Sequence, residues 1–401
     1  MKKVLFVINA LDGGGAEKSL VSLLNELEQY KDEYNFDLLI PNKKGLFYNQ
    51  IPDFINEITV SKSMKYMANG FKELISLREL NPYLIFIKLR WVLKQKRLST
   101  VVGGIREQEL WKLWGKYIPN LDQSYDVAIS YMNGYPNYYV IDKVNAKKKY
   151  LWIHNEYQKL GYDVSFDKKY YEAADGIITI SDLCKKSIIE RMPQIEEKVQ
   201  VLENISSGKL IYNLAKKPTE IESFNKFEGI KILSIGRLVE QKNFKLAVDT
   251  AKYLKDYFEN FNFKWFIIGK GPLKENLQDR IKKNALEDYI ELIGTTDNPY
   301  AYMQQANVLV QTSIFEGKSI VLDEAKILSK FIVATNYPTV YDSIQDGITG
   351  VISEQTPEKL AEAIFKILTD EVVRAKIDKN LKEFRNGNVE ELQKYINLIE
   401  K

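Results

Sequence analysis

Two cations in the second half of this sequence have the types and spacing to bind a pair of phosphates. Arg237 and Lys242 follow a short β-branched run and a glycine, and they lie five residues apart. Arginine offers a planar fork of hydrogen-bond donors and lysine a mobile point charge, a combination that suits two neighbouring phosphates. Two exposed cations that contact only water are the alternative.

Two carboxylates lie further along, in the segment 313–324 (SIFEGKSIVLDE). Glu316 and Glu324 are eight residues apart, and a helix is predicted to begin near Lys318. Glu316 would then lie beside the open amides of the helix N-terminus, and Glu324 nearly two turns inside the helix. One site could hold both carboxylates at different parts of a long ligand, although such pairs also arise by chance in charged proteins.

Glycine-rich loops occur where two strands are predicted to end. The segment Asp12 to Glu17 contains three consecutive glycines before a helix, so backbone N–H groups and the helix dipole could meet an anion. Its spacing matches neither GxGxxG nor GxxxxGK, and a plain strand-to-helix turn would have the same sequence. The second loop, Ile267 to Pro272, forms a tight turn at the carboxyl end of a strand, where open α/β sheets bind ligands.

His154 is the only histidine and Cys184 the only cysteine. These counts exclude a disulfide framework, a thiolate zinc site and any relay that needs two histidines. His154 follows the predicted strand Tyr150 to Ile153 at its carboxyl end, which favours a functional group over a merely satisfied polar one. Cys184 is interpreted as a small buried hydrophobe, and a lone thiol fits the cytoplasm.

The elements that must position these residues alternate between β-branched runs and amphipathic helical segments. The alternation restarts after Leu202, which together with the length of 401 residues predicts two α/β domains with parallel, doubly wound sheets. Asn, Ser, Gly and Pro interrupt both periodicities between Glu203 and Glu222. We therefore predict an acceptor-side domain in residues 1–203, a donor-binding domain in 204–385, and a C-terminal helix in 386–401 that packs back on the first domain.

The 57 Lys and Arg nearly balance the 54 Asp and Glu, which argues against a nucleic-acid partner. Twelve Lys or Arg against four Glu are nevertheless concentrated in residues 61–120, interleaved with tryptophans. This pattern suits an anionic membrane surface, and we predict membrane or acceptor contacts for Trp91, Lys94, Lys96 and Arg97. A solvated helical face with core tryptophans is the alternative. No apolar run approaches the roughly 20 residues of a membrane span.

The order of the second-half elements is strand-GR-x4-K, strand-GxGP and strand-S-x2-EG-x6-E. This order resembles the donor-binding half of the GT-B glycosyltransferases, specifically retaining glycosyltransferase family 4. The GGGAE loop and the segment 152–155 (WIHN) are similar to the amino-terminal half of that family, so the resemblance covers nearly the whole chain. It implies a GT-B fold, in which two Rossmann-like, doubly wound domains face each other across a cleft that holds the active site.

Residue by residue, the resemblance implies that Arg237 and Lys242 bind the donor diphosphate. It implies that Glu316 binds the hydroxyls of the transferred sugar and that Glu324 binds the ribose. His154 would lie near the 6-hydroxyl of the sugar and the reaction centre, so that His154 and Glu316 are the implied catalytic residues. The further donor contacts implied by the resemblance are Gly14, Gly15, Gly269, Gly317, Lys318, Ser319, Ile320 and Val321.

The resemblance implies a retaining, metal-independent glycosyltransferase that needs no cofactor and uses a nucleotide-sugar, with a UDP-sugar expected. The absence of a D-x-D motif disfavours the metal-dependent GT-A alternative. Cations and amides would stabilise the departing diphosphate instead. The implied acceptor is a glycan or an undecaprenyl-diphosphate-linked glycan, in bacterial capsule, exopolysaccharide or cell-wall polymer synthesis. We expect a cytoplasmic protein, with a fraction of the molecules at the inner face of the cell membrane.

Two other functions are compatible with this architecture. A nucleotide-sugar 2-epimerase needs acid and base groups on both faces of the sugar, which a single histidine disfavours. A non-catalytic GT-B partner that binds glycans or stabilises another transferase would be expected to have lost the cations and the glutamate pair. All four of these side chains are present.

Overall fold

The computed structural model describes residues 1–12, 14–43, 45–69, 82–97, 103–316 and 318–401. The strands are β1 (Lys2–Val7), β2 (Tyr34–Leu39), β3 (Asn56–Glu57), β4 (Ser124–Ser130), β5 (Asn145–Ile153), β6 (Gly176–Thr179), β7 (Val199–Val201), β8 (Ile230–Ile235), β9 (Phe263–Ile268), β10 (Ile290–Gly294), β11 (Val308–Gln311), β12 (Phe331–Thr335) and β13 (Val351–Ser353).

The α-helices alternate with these strands along most of the chain. They are α1 (Gly15–Glu26), α2 (Lys62–Ala68), α3 (Pro82–Arg97), α4 (Gly103–Trp114), α5 (Tyr135–Lys143), α6 (Tyr157–Leu160), α7 (Val164–Ala173), α8 (Asp182–Ile189), α9 (Gly208–Ala215), α10 (Glu222–Lys226), α11 (Phe244–Tyr257), α12 (Lys274–Lys283), α13 (Pro299–Gln305), α14 (Ile320–Ile327), α15 (Pro357–Thr369), α16 (Glu371–Leu381) and α17 (Leu392–Glu400). Short 3-10 helices include Glu240–Lys242 and Pro338–Asp342.

The strands form two parallel sheets, one of order β3-β2-β1-β4-β5-β6-β7 and one of order β10-β9-β8-β11-β12-β13. Each sheet grows from its first strand to one edge and then continues on the other side, so the reversals lie at β1/β4 and β8/β11. The prediction of two doubly wound α/β sheets is confirmed. In such sheets the ligand crevice opens at the carboxyl ends of the strands beside the reversal.

The chain divides into two compact units. Unit 1 comprises Met1–Ile205 together with Glu390–Lys401, and unit 2 comprises Ser206–Val389. The chain thus passes from unit 1 to unit 2 between residues 205 and 206, and α17 belongs to unit 1. In unit 1 the Tyr395 ring of α17 stacks on Trp152 with centroids 5.7 Å apart, and its hydroxyl donates to the Glu203 carbonyl at 2.9 Å.

The sequence pattern explains these elements locally. Helix α11 buries Phe244, Ala247, Val248 and Ala251, which recur at helical spacing and face the sheet of unit 2. Short β-branched and aromatic runs fill the interior of both sheets, as buried strands in parallel sheets require. Among the described residues, no helix is both long and apolar enough to cross a membrane.

Candidate functional site

The candidate donor loops of unit 2 all follow strand ends at one edge of the sheet. The segment 236–243 follows β8, the segment 269–272 follows β9, and the segment 312–316 follows β11. Because β8 pairs with both β9 and β11 in parallel, these three loops are neighbours at the carboxyl edge. The edge lies at the reversal point of the sheet, where the sequence pattern predicted a ligand site.

The first two loops pack backbone against backbone. The Gly236 N–H donates to the Ile268 carbonyl at 2.9 Å, and the Leu238 N–H donates to the Lys270 carbonyl at 2.9 Å. A Cβ atom added at Gly269 would lie 1.8 Å from the Gly236 carbonyl oxygen. The glycine is therefore required for the close approach of the two loops, whatever it contributes to a donor.

Glu316 and Lys242, far apart in sequence, meet at this edge. The Lys242 Nζ lies 2.5 Å from Glu316 Oε1, and both side chains are mostly buried. Ser313 Oγ donates to the same oxygen at 2.6 Å, and Gln241 Nε2 donates to Oε2 at 3.3 Å. The carboxylate is thus held by a cation, a hydroxyl and an amide, which fix its direction before any ligand arrives.

Backbone hydrogen bonds fix the Glu316 loop itself. The Ile314 N–H donates to the Gln241 carbonyl at 2.8 Å, and Gln241 Nε2 also donates to the Phe315 carbonyl at 3.0 Å. The Thr339 hydroxyl donates to the Glu316 carbonyl at 2.9 Å. Sequence reasoning missed Gln241 and Thr339. Gln241 could have been noticed because it directly precedes Lys242, whereas nothing in the sequence marks Thr339.

Arg237 differs from Lys242 in its surroundings. Its side chain is exposed, and its guanidinium makes no hydrogen bond or ion pair within the described part of the chain. Lys242 is therefore neutralised by a carboxylate, whereas the Arg237 guanidinium faces solvent and its donors have no partner among the described residues.

Glu324 lies inside α14, and only 2 % of its surface is exposed. Its Oε1 accepts a hydrogen bond of 2.7 Å from the hydroxyl of Tyr300, a buried residue of α13. Burial and the Glu324 charge both raise the pKa of Tyr300 well above its ordinary value, so Tyr300 stays a hydrogen-bond donor. Sequence reasoning missed Tyr300.

The N-terminus of α14 begins at Ile320, close to the predicted start. Ser319 precedes it, and the Ser319 hydroxyl donates to Gln311 Oε1 at 2.8 Å instead of capping the helix. The amides of the first turn, including those of Ile320 and Val321, therefore receive no side-chain cap from Ser319. Lys318 is half-buried, and Gly317 lies outside the described residues.

In unit 1, the predicted glycine loop precedes α1. Gly14 and Gly15 are exposed at the helix start, and Gly13 lies outside the described residues. A Cβ atom added at Gly14 would lie 2.0 Å from Glu17 Oε2. The Glu17 carboxylate therefore lies beside the N-terminus of α1, a position that favours negative charge.

His154 directly follows β5, at the predicted strand end, and is 5 % exposed. Its Nε2 lies 2.9 Å from the Tyr131 carbonyl, which makes Nε2 the donor and leaves the lone pair on Nδ1. Nδ1 is buried and has no hydrogen-bond partner within the described residues. Burial lowers the pKa of His154 to about 4, so the ring is uncharged at neutral pH and is not a general acid in this state.

The structure of α3 shows that the prediction for Trp91 was wrong. Trp91 was expected at the surface, but it is only 7 % exposed, because α3 turns it inward with Leu84 and Ile87. Trp111 and Trp114 are also buried in the core of unit 1. The alternative interpretation, core tryptophans on a helical segment, is therefore right for these side chains.

The outward face of α3 is apolar instead. Its exposed large side chains form a stripe at helical spacing, with 47–65 % of each exposed: Tyr83, Phe86, Leu89 and Leu93. We call these four residues the apolar stripe. The exposed Arg90 and Lys94 lie beside it, with Lys94 paired to Glu109 of α4. The side chains of Lys96 and Arg97 lie outside the described residues.

Polar residues of unit 1 that sequence reasoning missed also lie near its carboxyl edge. The Tyr162 hydroxyl donates to Glu107 Oε2 at 2.6 Å, and Asn133 Nδ2 donates to the Tyr162 hydroxyl at 3.0 Å. Glu107 lies in α4 and Asn133 in the loop after β4. No spacing in the sequence links these three residues, because they come from separate elements.

Within the described ranges, no group of three or more His, Cys, Asp or Glu side chains is placed to hold a metal ion. The charged side chains described above at the carboxyl edge of unit 2 are instead Arg237, Lys242 and Glu316. The chemistry that this arrangement offers is therefore binding of an anion and of hydroxyl groups.

Comparison with known proteins identifies the class of fold and the domain. The crystal structure of Alr3699/HepE from Anabaena in complex with UDP and glucose matches with a TM-score of 0.66 and 16 % identity, covering 100 % of both chains. The fold is GT-B. Residues 216–384 match the family of group 1 glycosyl transferases, so the chain contains a glycosyltransferase group 1 domain. Arg237, Lys242, Glu316 and Glu324 all lie within it.

Two relatives from Campylobacter jejuni extend the similarity beyond this domain. One is the N-acetylgalactosamine-N,N'-diacetylbacillosaminyl-diphospho-undecaprenol 4-alpha-N-acetylgalactosaminyltransferase, 27 % identical over 340 residues, which are 84 % of this chain and 81 % of the relative. The other is the GalNAc-alpha-(1->4)-GalNAc-alpha-(1->3)-diNAcBac-PP-undecaprenol alpha-1,4-N-acetyl-D-galactosaminyltransferase, 24 % identical over 386 residues, which are 96 % of this chain and 93 % of the relative.

Proposed function

We propose that this protein is a retaining, metal-independent glycosyltransferase that moves a sugar from a UDP-sugar to a lipid-linked glycan of a bacterial surface polysaccharide. The observation that supports this proposal most directly is the set of side chains around Glu316 at the carboxyl edge of unit 2. A fixed carboxylate suits sugar hydroxyls, and Arg237 with Lys242 suits a diphosphate. The similarity to a structure solved with UDP and glucose supports UDP as the nucleotide.

In this proposal, Lys242 changes partner when the donor binds. Its ammonium contacts Glu316 at 2.5 Å in the structure, and a diphosphate beside Arg237 would attract it more strongly than a single carboxylate does. Glu316 would keep its hydrogen bonds from Ser313 and Gln241 and gain room to accept hydrogen bonds from sugar hydroxyls. Glu324, held by Tyr300, would bind the ribose hydroxyls.

The proposed reaction breaks the bond between the anomeric carbon and the diphosphate oxygen, and it forms a bond from the acceptor oxygen on the same face of the sugar. The acceptor proton passes to the departing phosphate oxygen, so no side chain is needed as a base. Arg237, Lys242 and the first-turn amides of α14 stabilise the charge that develops on the diphosphate. His154 would contribute as an uncharged hydrogen-bonding group, because its pKa is lowered to about 4.

The acceptor proposal draws on the Campylobacter jejuni relatives, whose names specify undecaprenyl-diphosphate-linked acceptors. Such an acceptor is anchored in a membrane, and the apolar stripe with Arg90 and Lys94 has the composition of a helix that lies on an anionic bilayer. We therefore propose that α3 brings the protein to the membrane that carries its acceptor. The stripe, and not Trp91, would supply the inserted side chains.

A direct test incubates the purified protein with UDP-linked sugars and a synthetic acceptor, octyl α-N-acetylgalactosaminide. Product formation by mass spectrometry and an α-anomer by NMR are expected. Inversion relative to the donor would refute retention, and failure to transfer from any of the UDP-linked sugars would refute the proposed transfer from a UDP-sugar. Incubation with UDP-N-acetylglucosamine and no acceptor distinguishes the 2-epimerase, because an epimerase needs no acceptor.

A further inference from the structure

A hydrogen-bonded chain of three polar side chains lies in unit 1. The Tyr162 hydroxyl donates to Glu107 Oε2 at 2.6 Å and accepts from Asn133 Nδ2 at 3.0 Å. Each of the three residues is half-buried, so each keeps some contact with solvent. A rigid group of partly exposed acceptors and donors is the usual form of a site that recognises hydroxyl groups.

The position of this chain in the fold is that of a ligand site. Asn133 lies three residues after the end of β4, and β4 pairs with β1 at the reversal of the sheet. His154 follows β5, the next strand along. The three side chains are therefore at the carboxyl edge beside the reversal, where open α/β sheets bind their ligands.

The hydrogen bonds of the chain are incomplete. Asn133 Oδ1 and the hydroxyl of the neighbouring Tyr135 are buried without a hydrogen-bond partner among the described residues. Glu107 accepts a single side-chain hydrogen bond there, from Tyr162. Buried polar atoms of a native protein are normally paired, so unpaired ones at a ligand edge point to a missing partner.

Asp167, a neighbouring carboxylate, provides the contrast. It is fully buried and accepts hydrogen bonds from the Tyr138 hydroxyl at 2.6 Å, the Tyr157 hydroxyl at 2.7 Å and Gln108 Nε2 at 2.7 Å. Three donors satisfy a buried carboxylate, and this one serves the packing of α7. Glu107, one residue before Gln108 in α4, is partly exposed and has one such donor.

We propose that Glu107, Tyr162 and Asn133 form a subsite that binds hydroxyl groups of the acceptor sugar. This inference rests on the proposed glycosyltransferase function and specifies where the acceptor binds. Glu107 accepts from a sugar hydroxyl, Asn133 Oδ1 accepts from a second one, and Tyr162 holds the two groups in position. The close approach of Glu107 to the backbone fixes its direction, since a Cβ added at Gly134 would lie 1.7 Å from Oε2.

The surroundings of Glu107 make its charge sensitive to pH near neutrality. Burial, and then the Asp167 charge, raise the pKa of Glu107 to about 7, while the Tyr162 hydrogen bond opposes them. Tyr135 of α5 and Tyr171 of α7 also face it, and both have raised pKa values and stay uncharged. The ionised carboxylate accepts more hydrogen bonds, so acceptor binding should strengthen as pH rises through about 7.

The test measures transfer from UDP-N-acetylgalactosamine to octyl α-N-acetylgalactosaminide, with acceptor KM, donor KM and kcat determined separately. Glu107→Gln should raise the acceptor KM about tenfold, because it removes a charge-assisted hydrogen bond, and should leave the donor KM unchanged. It should also flatten the pH dependence of the acceptor KM between pH 6 and 8. Tyr162→Phe should raise the acceptor KM by a smaller factor.

Tyr138→Phe is the matched control. It removes one hydroxyl from the fully buried Asp167, so it should lower the melting temperature and leave the acceptor KM unchanged. A normal acceptor KM in folded Glu107→Gln and Tyr162→Phe, or the same change in Tyr138→Phe, would overturn the subsite.

Saturation-transfer NMR with octyl α-N-acetylgalactosaminide separates failure of the subsite from failure of the proposed function. Glycan contact that is lost in Glu107→Gln supports the subsite even in a protein that transfers no sugar. Transfer that persists with unchanged glycan contact in Glu107→Gln refutes the subsite alone.

Discussion

The carboxyl edges of the two sheets hold their polar side chains in different ways. At the edge of unit 2, Glu316 contacts a cation, a hydroxyl and an amide, and Arg237 faces solvent with no ion pair among the described residues. At the edge of unit 1, His154 is buried and uncharged, and the chain from Glu107 to Asn133 is incompletely paired. Phosphate binding needs fixed charge, whereas a neutral sugar needs unpaired hydrogen-bonding groups.

The largest expected effect tests the charged edge. Glu316→Ala should lower kcat by about 10³-fold or abolish transfer, because it removes the group proposed to hold the sugar in its reacting position and frees Lys242. Ser313→Ala removes one of the hydrogen bonds that hold Glu316 and should lower kcat much less. Steady-state kinetics with melting temperatures checks both variants. Near-normal turnover by a folded Glu316→Ala protein would contradict the proposal that Glu316, at the charged edge of unit 2, holds the sugar.

The second expected effect concerns the apolar stripe of α3 in unit 1. Phe86→Ser combined with Leu93→Ser should lower the affinity for anionic phosphatidylglycerol vesicles by about 10²-fold, since each buried side chain of this size contributes about 1.5–3 kcal/mol. Tyr257→Ser combined with Val372→Ser, at exposed positions of unit 2, is the matched control and should have no effect. Vesicle co-sedimentation measures the affinity. Equal binding by all variants would mean that the exposed face of α3 contacts only water.

The basic residues of the same helix should have a related but salt-dependent effect. Neutralising Lys94, Lys96 and Arg97 to Gln should weaken binding to the same vesicles, with about 1 kcal/mol for each well-placed cation. The pairing of Lys94 with Glu109 reduces its share. The loss should shrink at high salt, whereas the loss from the serine variants should not. Unchanged binding at low salt would remove these cations from the proposed surface.

Glu324 provides a smaller effect within unit 2. Glu324→Ala should raise the donor KM about tenfold with little change in kcat, because a ribose contact is the same in the ground state and in the transition state. Tyr300→Phe leaves the carboxylate in place but removes its donor, and should raise the donor KM by a smaller factor. Small and equal effects of Glu316→Ala and Glu324→Ala on kcat would contradict the separate roles assigned to them.

The same contrast explains what the sequence could reveal. The parallel sheets and α11 were predictable, because strands buried on both faces and amphipathic helices have distinct periodicities. The positions of Arg237, Lys242, Glu316 and the start of α14 after strand ends could also be predicted from local spacing. Their surroundings could not, because Thr339 and Tyr300 approach from elements that are remote in sequence. Phosphate binding by the two cations stays a prediction.

Unit 1 was less predictable for the same reason. Glu107, Tyr162 and Asn133 belong to three different elements, and nothing in their spacing relates them. Trp91 was misplaced because tryptophans among basic residues are compatible both with a membrane face and with a core. Only the direction of α3 decides between them, and that direction depends on which residues pack against Leu84 and Ile87.

The last expected effect is on stability, and it concerns the buried, uncharged histidine of unit 1. The pKa of His154 is about 4 in the folded chain and 6.5 in the unfolded one, so the unfolded chain binds a proton first as pH falls. Stability that is present above pH 6.5 should therefore be lost between about pH 6.5 and 4, by about 2 kcal/mol at pH 5. Urea unfolding at pH 7 and 5 should show this loss in the native protein and less of it in His154→Asn. An identical loss in both would mean that burial does not keep the proton off His154 in the folded chain, and the contrast with the fixed charges at the edge of unit 2 would then fail at this residue.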